Sequence, residues 1–249
     1  LAPQAGAAGV EIFVYGRNAQ EPWDVPFPAR QTIEACRAIA RRHGLSPART
    51  LYLRQAPEAI AAGAFHNDVV AVTGGGCLFF HEDAFDNPPA VLEALRSAAG
   101  PAFTPRFVMA PRNQVSIEEA VSSYLFNAQL VEVPGANGLA LIAPQETAEH
   151  ERVRDYLDGL VASEAPIKAV HRIDLRESMR NGGGPACLRL RIEMTPEERA
   201  RAAQGFFLTP HLADRLEAWV SRHYRESLSV AELGDPALVD EGHAALDEL

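Results

Sequence analysis

Three side chains could together do covalent chemistry: Cys187, His66 and Asp68. Cys187 follows Asn181-Gly182-Gly183-Gly184-Pro185-Ala186 and opens the run Leu188-Arg189-Leu190-Arg191. A glycine run before a strand lets the chain bend tightly and brings main-chain N–H groups near a ligand. The thiol is therefore expected at a strand mouth rather than inside packed sheet. His66 and Asp68 sit two apart in Phe65-His66-Asn67-Asp68. In an extended segment their side chains would leave the same face and could share one ligand. A thiol nucleophile, an imidazole and a carboxylate in company suit attack on a cationic carbon.

Other uses of these residues fit less well. His66 and Asp68 could be two metal ligands, but no third or fourth ligand has a recognisable spacing, so no metal is expected. The triplet before Pro185 lacks the GxxxxGK[ST] pattern and leads toward a strand, which excludes a phosphate loop. Cys36 lies on the apolar face of a helix and Cys77 opens a hydrophobic strand, so both read as structural. The remaining histidines, at 43, 81, 150, 171, 211, 223 and 243, have no comparable company and read as surface or packing residues. Arg30, by its own surroundings, is a solvated arginine at a helix start.

The elements that must position these groups follow from patterning. Val10 to Tyr15 reads as a strand, and Ile33, Cys36 and Ala40 recur at helical spacing within 30–43. Leu51 to Leu53 is a second strand. Val69 to Val72, Gly74-Gly75-Gly76 and Cys77 to Phe80 read as a hairpin. A helix is expected over 89–98, a strand over 106–110, and a capping box at Ser116-Ile117-Glu118-Glu119. A second hairpin is expected over 125–133 and 139–143, then a helix over 147–161 carrying His150, Val153, Tyr156 and Leu157 on one face, and a strand over 168–174. A further strand is expected over 186–194. Thr195-Pro196-Glu197-Glu198 starts another helix, an amphipathic segment covers 212–224, and an acidic tail follows. The order of hairpin, helix and strand recurs, which implies stacked or circularly arranged α/β units in one domain over 1–249.

Composition sets the class. The 249 residues are 47% hydrophobic, enough for a sizeable core. Three cysteines without CxxC spacing argue against a disulfide framework and for a reducing compartment, read as the cytoplasm. No apolar run approaches the roughly 20 residues of a membrane span. A net charge of −10 disfavours a nucleic-acid partner and leaves a small molecule as the expected one.

A series of blocks carries a resemblance: F-V-Y-G-R at 13–17, P-A-R-Q-T at 28–32, F-H-N-D-V at 65–69, Y-L-F-N at 124–127, D-L-R-E-S-M at 174–179 and N-G-G-G-P-A-C-L-R-L-R at 181–191. With these the chain resembles the N-succinylarginine dihydrolases, within the pentein superfamily of guanidino-group-modifying proteins. The resemblance implies a five-unit α/β propeller with the active site on its axis. It puts Cys187 on the nucleophile and His66 on the catalytic histidine, with Arg30, Asp68 and Asn181 on substrate-binding positions. It also implies a homodimer, no metal and no organic cofactor.

The implied reaction converts N2-succinyl-L-arginine and two waters into N2-succinyl-L-ornithine, two ammonia and carbon dioxide. Because the chain starts at Leu1, after the family's further catalytic glutamate, about three of the five units are expected. Such a fragment is an incomplete ring, and only the complete chain is expected to turn over substrate. Two other classes remain open at this stage. One is a noncatalytic pentein-like binding or assembly module; the other is a cysteine peptidase or amidase, which would leave Asp68 and Arg30 unexplained.

Overall fold

The first strand, β1 (Glu11–Tyr15), is joined to β2 (Thr50–Arg54) by a helical crossover, and the two pair in parallel from Glu11 opposite Thr50 to Tyr15 opposite Arg54. This is a computed structural model, and it describes residues 1–4, 6–22, 27–133, 135, 137–180 and 194–249. The crossover helix α1 (Ile33–Arg42) begins later than the expected 30 because Thr32 is its cap, its hydroxyl accepting from the Ala35 N–H at 3.2 Å. Cys36 and Ala40 form its buried stripe. A short helix α2 (Pro57–Ala61) has its proline at the start, where no N–H is missed.

The expected first hairpin forms as β3 (Ala71–Gly74) and β4 (Cys77–His81), antiparallel. Gly75 and Gly76 supply the turn at φ of 52° and 68°, the pair of positive angles that a tight two-residue hairpin needs. Helix α3 (Pro88–Ala99), capped by Asn87, then crosses over to β5 (Arg106–Ala110), which lies parallel to β4. The Ser116–Glu119 capping box starts α4 (Ile117–Ser122).

The second hairpin pairs β6 (Gln129–Glu132) with β7 (Leu139–Pro144). Its first strand starts four residues after the expected 125, because residues 124–128 form a turn with Tyr124 at φ 55°. The helix expected over 147–161 is two pieces, α5 (Glu146–Glu149) and α6 (Glu151–Ala162). His150 separates them with ψ 105°, an extended value that no helix interior accepts. Strand β8 (Ile167–Ile173) returns parallel to β7, followed by α7 (Arg176–Arg180).

Among the described residues the strands make three open sheets, ordered β1-β2, β3-β4-β5 and β6-β7-β8. The second and third share one plan: an antiparallel hairpin, a helical crossover, and a return strand parallel to the hairpin's second arm. Strand β4 is buried along its whole length and serves two cores. Cys77 and Phe79 face one shared with Phe126, Leu141 and Leu157; Leu78 and Phe80 face one shared with Leu53, Phe85 and Leu95. This is period-two burial on both faces. His81 ends the strand, fully buried, with Nε2 2.9 Å from Val115 O and Nδ1 accepting from the Asp83 N–H at 3.0 Å, so it is a satisfied packing histidine.

Two compact units are distinguished, Leu1–Glu193 and Met194–Leu249. The second holds α8 (Pro196–Arg201), α9 (Pro210–His223) and α10 (Ala237–Glu248). The Thr195 capping box opens α8 as its spacing predicts. Trp219 on α9 donates its indole N–H to Ala245 O on α10 at 2.9 Å, and Arg225 forks onto Glu241 at 2.7 and 2.8 Å. The acidic tail is thus a packed helix, α10, which composition alone did not reveal. The strand expected over 186–194 falls almost wholly outside the described residues.

Candidate active site

The segment carrying Arg30 is fastened to the end of β1. Gly16 N–H donates to Gln31 O at 3.1 Å, Arg17 Nε to Ala29 O at 3.1 Å, and Ile33 N–H to Arg17 O at 3.1 Å. So close an approach needs glycine at 16. A Cβ there would stand 2.3 Å from Ala29 Cβ and 2.9 Å from Ile60 Cδ1. The blocks at 13–17 and 28–32 therefore form one construction, with Arg30 exposed just ahead of the Thr32 cap.

The segment carrying His66 and Asp68 is fixed from below. Ala64 N–H donates to Ala59 O at 2.9 Å, and the buried Gln55 side chain donates to Ala64 O. His66 is extended, but Asn67–Val69 is a single 3-10 turn, with Val69 N–H on His66 O at 3.2 Å and Val70 N–H on Asn67 O at 2.9 Å. The same-face argument for His66 and Asp68 therefore fails in its geometry, because it requires an extended Asn67. Asn and Asp favour turns, and that preference wins here.

The structure brings Arg30 and His66 together across 36 residues of sequence: Arg30 Nη1 lies 3.3 Å from His66 Nε2. A guanidinium only donates, so Nε2 accepts in this arrangement and the ring proton sits on Nδ1. The Arg30 guanidinium carbon lies 5.9 Å from the Phe65 ring centre, and that ring packs in turn against His66 at 5.0 Å and Phe27 at 6.2 Å. The aromatic face attracts the cation and steadies it beside the imidazole.

Asp68 lies on the wall of a cleft of about 400 Å³, with Asn67, Thr73 and Gln129 as polar neighbours and Ile12, Val14 and Leu53 as apolar ones. Asn127 Nδ2 donates to Asp68 O at 3.1 Å and toward Asp68 Oδ2 at 3.4 Å. Among the described residues Asn67 Nδ2, which is buried, has no hydrogen-bond partner. Sequence reasoning passed over both asparagines. Asn127 looked like one polar residue in a strand, and Asn67 like a spacer between two reactive neighbours. Cys187 and Asn181 lie outside the described residues.

The family model for succinylarginine dihydrolase matches residues 1–249, every residue of the chain. The chain belongs to the succinylarginine dihydrolase family. Among its relatives, an N-succinylarginine dihydrolase of Shewanella piezotolerans is 48% identical over the whole chain, and one of Burkholderia pseudomallei is 49% identical over 98% of it. These alignments cover 56% and 55% of the two relatives, so the chain spans little more than half the length of the dihydrolases it matches.

Two of this family member's three thiols sit in its cores. Cys36 is 3% exposed and burial raises its pKa; Cys77 is fully buried, and desolvation pushes its pKa up to about 11 against a weaker pull from Arg106. At pH 8 the Cys77 thiolate is then about one part in a thousand, besides being inaccessible. Iodoacetamide at that pH is expected to leave Cys36 and Cys77 unlabelled in the folded chain and to label both in denaturant, as read by peptide mass spectrometry. Labelling of either at the rate of a free thiol under native conditions would contradict the packing. Among the described residues, no group of three or more His, Cys, Asp or Glu could hold a metal ion, and no helix is long and apolar enough to cross a membrane.

Proposed function

We propose that the protein containing this chain hydrolyses the guanidinium carbon of N2-succinyl-L-arginine, giving N2-succinyl-L-ornithine, two ammonia and carbon dioxide. The observation that carries this reading is the family match over the whole chain, and the Arg30–His66 contact fits it. A guanidinium carbon is a poor electrophile because its charge is spread over three nitrogens. A strong nucleophile and a proton donor for ammonia are both needed, and Cys187 and His66 take those parts. The Cys187 thiolate attacks the carbon, a C–N bond breaks, and ammonia leaves with a proton from His66. His66 then takes a proton from water, whose oxygen displaces the sulfur. A second cycle on the resulting ureido carbon releases the second ammonia, and the carbamate left behind loses carbon dioxide.

Asp68 holds the guanidinium by charge-assisted hydrogen bonds that match its planar fork. Arg30 binds a substrate carboxylate, and Asn181 adds an amide hydrogen bond. The substrate is an anion and the chain carries −10, so a local cation at the site offsets the repulsion. Turning toward a carboxylate would also take Arg30 off His66 Nε2, freeing that nitrogen for proton transfer as substrate arrives. No metal or organic cofactor enters any step. The two sheets built on one plan support the reading of the chain as about three units of a five-unit pentein propeller, and we further propose that the whole protein is a cytoplasmic homodimer.

The test compares the 249-residue chain with the protein extended to its relatives' full length, each incubated with N2-succinyl-L-arginine while ammonia and succinylornithine are counted. Two ammonia per succinylornithine from the full-length form is the expected result. No ammonia from it would overturn the reading, and micromolar binding without ammonia would make the protein a noncatalytic binding module.

A further inference from the structure

We infer that Asn127 is a positioning residue for substrate binding, acting through the Asp68 carboxylate; this rests on the guanidinium-binding role proposed for Asp68. Helix α4 ends in a turn built for glycine. Tyr124 N–H donates to Val121 O and Leu125 N–H to Ala120 O, each at 3.2 Å, with the first of the two donor residues left-handed. That residue is Tyr124 at φ 55°, the one non-glycine residue at positive φ among the described residues. A side chain pays a steric cost there, and such a conformation persists only when its surroundings enforce it. What enforces it follows directly: Leu125 and Phe126 are fully buried in the core, and Asn127, 8% exposed, has its N–H on Tyr124 O at 3.0 Å. The strained turn thus fixes one amide side chain 59 residues away in sequence from the carboxylate it touches.

The amide suits this position chemically. It donates to Asp68 Oδ2 at 3.4 Å while anchoring Asp68 O at 3.1 Å, so it orients the carboxylate with respect to its own backbone. Being neutral, it adds no counter-charge of its own to the carboxylate. A lysine or arginine would pair with Asp68 and compete with the guanidinium; an aspartate would repel it. A carboxylate oxygen has two lone-pair sites, so an oxygen that accepts from Asn127 can also accept from a guanidinium fork. Asn127 therefore restricts the carboxylate before substrate arrives, which lowers the ordering cost of binding.

A purely structural Asn127 would act through the Asp68 main-chain oxygen alone, and Asp68→Ala leaves that oxygen in place. The test is a double-mutant cycle on the full-length protein carrying Cys187→Ala, which uncouples binding from turnover, with the dissociation constant of N2-succinyl-L-arginine read by calorimetry. Asn127→Leu is expected to weaken binding about tenfold, the scale of a hydrogen bond to a charged group, and to have less than a twofold effect once Asp68 is alanine. A loss of the same factor in both backgrounds would overturn the inference, as would an unchanged constant in the single variant. If Asn127→Leu fails to fold, Asn127→Ala removes the donor without adding charge and is read in the same cycle. Ammonia release by the protein with Cys187 intact separates the two readings. If it is absent, the proposed function falls and this inference with it; if it is present with multiplicative losses, only the role of Asn127 falls.

Discussion

His66→Ala is expected to lower kcat for succinylarginine hydrolysis by about 10³-fold in the full-length protein, with KM changed far less. One imidazole is asked to give a proton to each departing ammonia and to take one from each attacking water, so its loss affects every chemical step. General acid–base groups contribute about 10²–10⁴-fold in ordinary cases, and a group used four times per turnover belongs toward the upper part of that range. Folding should survive the change. His66 is only half-buried, and its side-chain partners are the exposed Arg30 and the neighbouring Phe65 ring. The pH dependence of kcat should lose the limb set by the imidazole, whereas Arg30→Ala should raise KM and keep that limb. A variant within tenfold of the unmodified kcat would remove His66 from the mechanism. Cys187→Ser provides the companion measurement, since it should abolish covalent trapping by a guanidinium-directed alkylating substrate.

The second large effect concerns stability and comes from Gly74. A Cβ built on this residue would lie 1.9 Å from Leu130 O, 2.7 Å from Leu130 C and 3.0 Å from Leu130 Cβ. The first two are backbone atoms of β6, so no rotamer change can make room, and β3 would have to separate from β6. Gly74→Ala is expected to cost about 3 kcal/mol or more, the upper range for overpacking, and to lower Tm by about 10 °C. Gly159→Ala is the internal control. Its Cβ meets nothing within 4 Å on α6, so replacing a mid-helix glycine should raise stability by about 0.5–1 kcal/mol. Thermal unfolding of both variants checks the pair. A Gly74→Ala protein as stable as the original would mean that β3 and β6 do not approach as described.

The elements that could be read directly were those whose signal is local. Gly75-Gly76 between apolar runs and the Ser116 and Thr195 capping boxes each specify their geometry within a few residues, and each stands where the spacing puts it. Three features were hidden for different reasons. Asn67-Asp68 carried a turn preference, but alternation with reactive neighbours made an extended reading attractive. Tyr124 gave no sign of a left-handed cap, since the residue that normally marks one is glycine. His150 split a helix whose apolar spacing runs through it without a break.

The site divides in the same way. The residue types were legible, but the contacts were not. That Arg30 would touch His66 depends on Gly16 letting the 28–32 segment lie against β1, and that Asn127 would reach Asp68 depends on a turn with no sequence mark. Both are tertiary facts, set by backbone approach rather than by propensity.

The shared plan of the sheets also bears on how the chain acquires its structure. Strands β3 to β5 close within residues 71–110 and β6 to β8 within residues 129–173, so the pairings in these two sheets join partners nearby in the chain. Local pairing shortens the search, and such segments can collapse one after another as they leave the ribosome. Docking of finished segments is then the expected late event, and Gly74 against Leu130 is one seam at which they meet. A lesion at this seam should leave well-formed pieces that meet slowly and stick to the wrong neighbours.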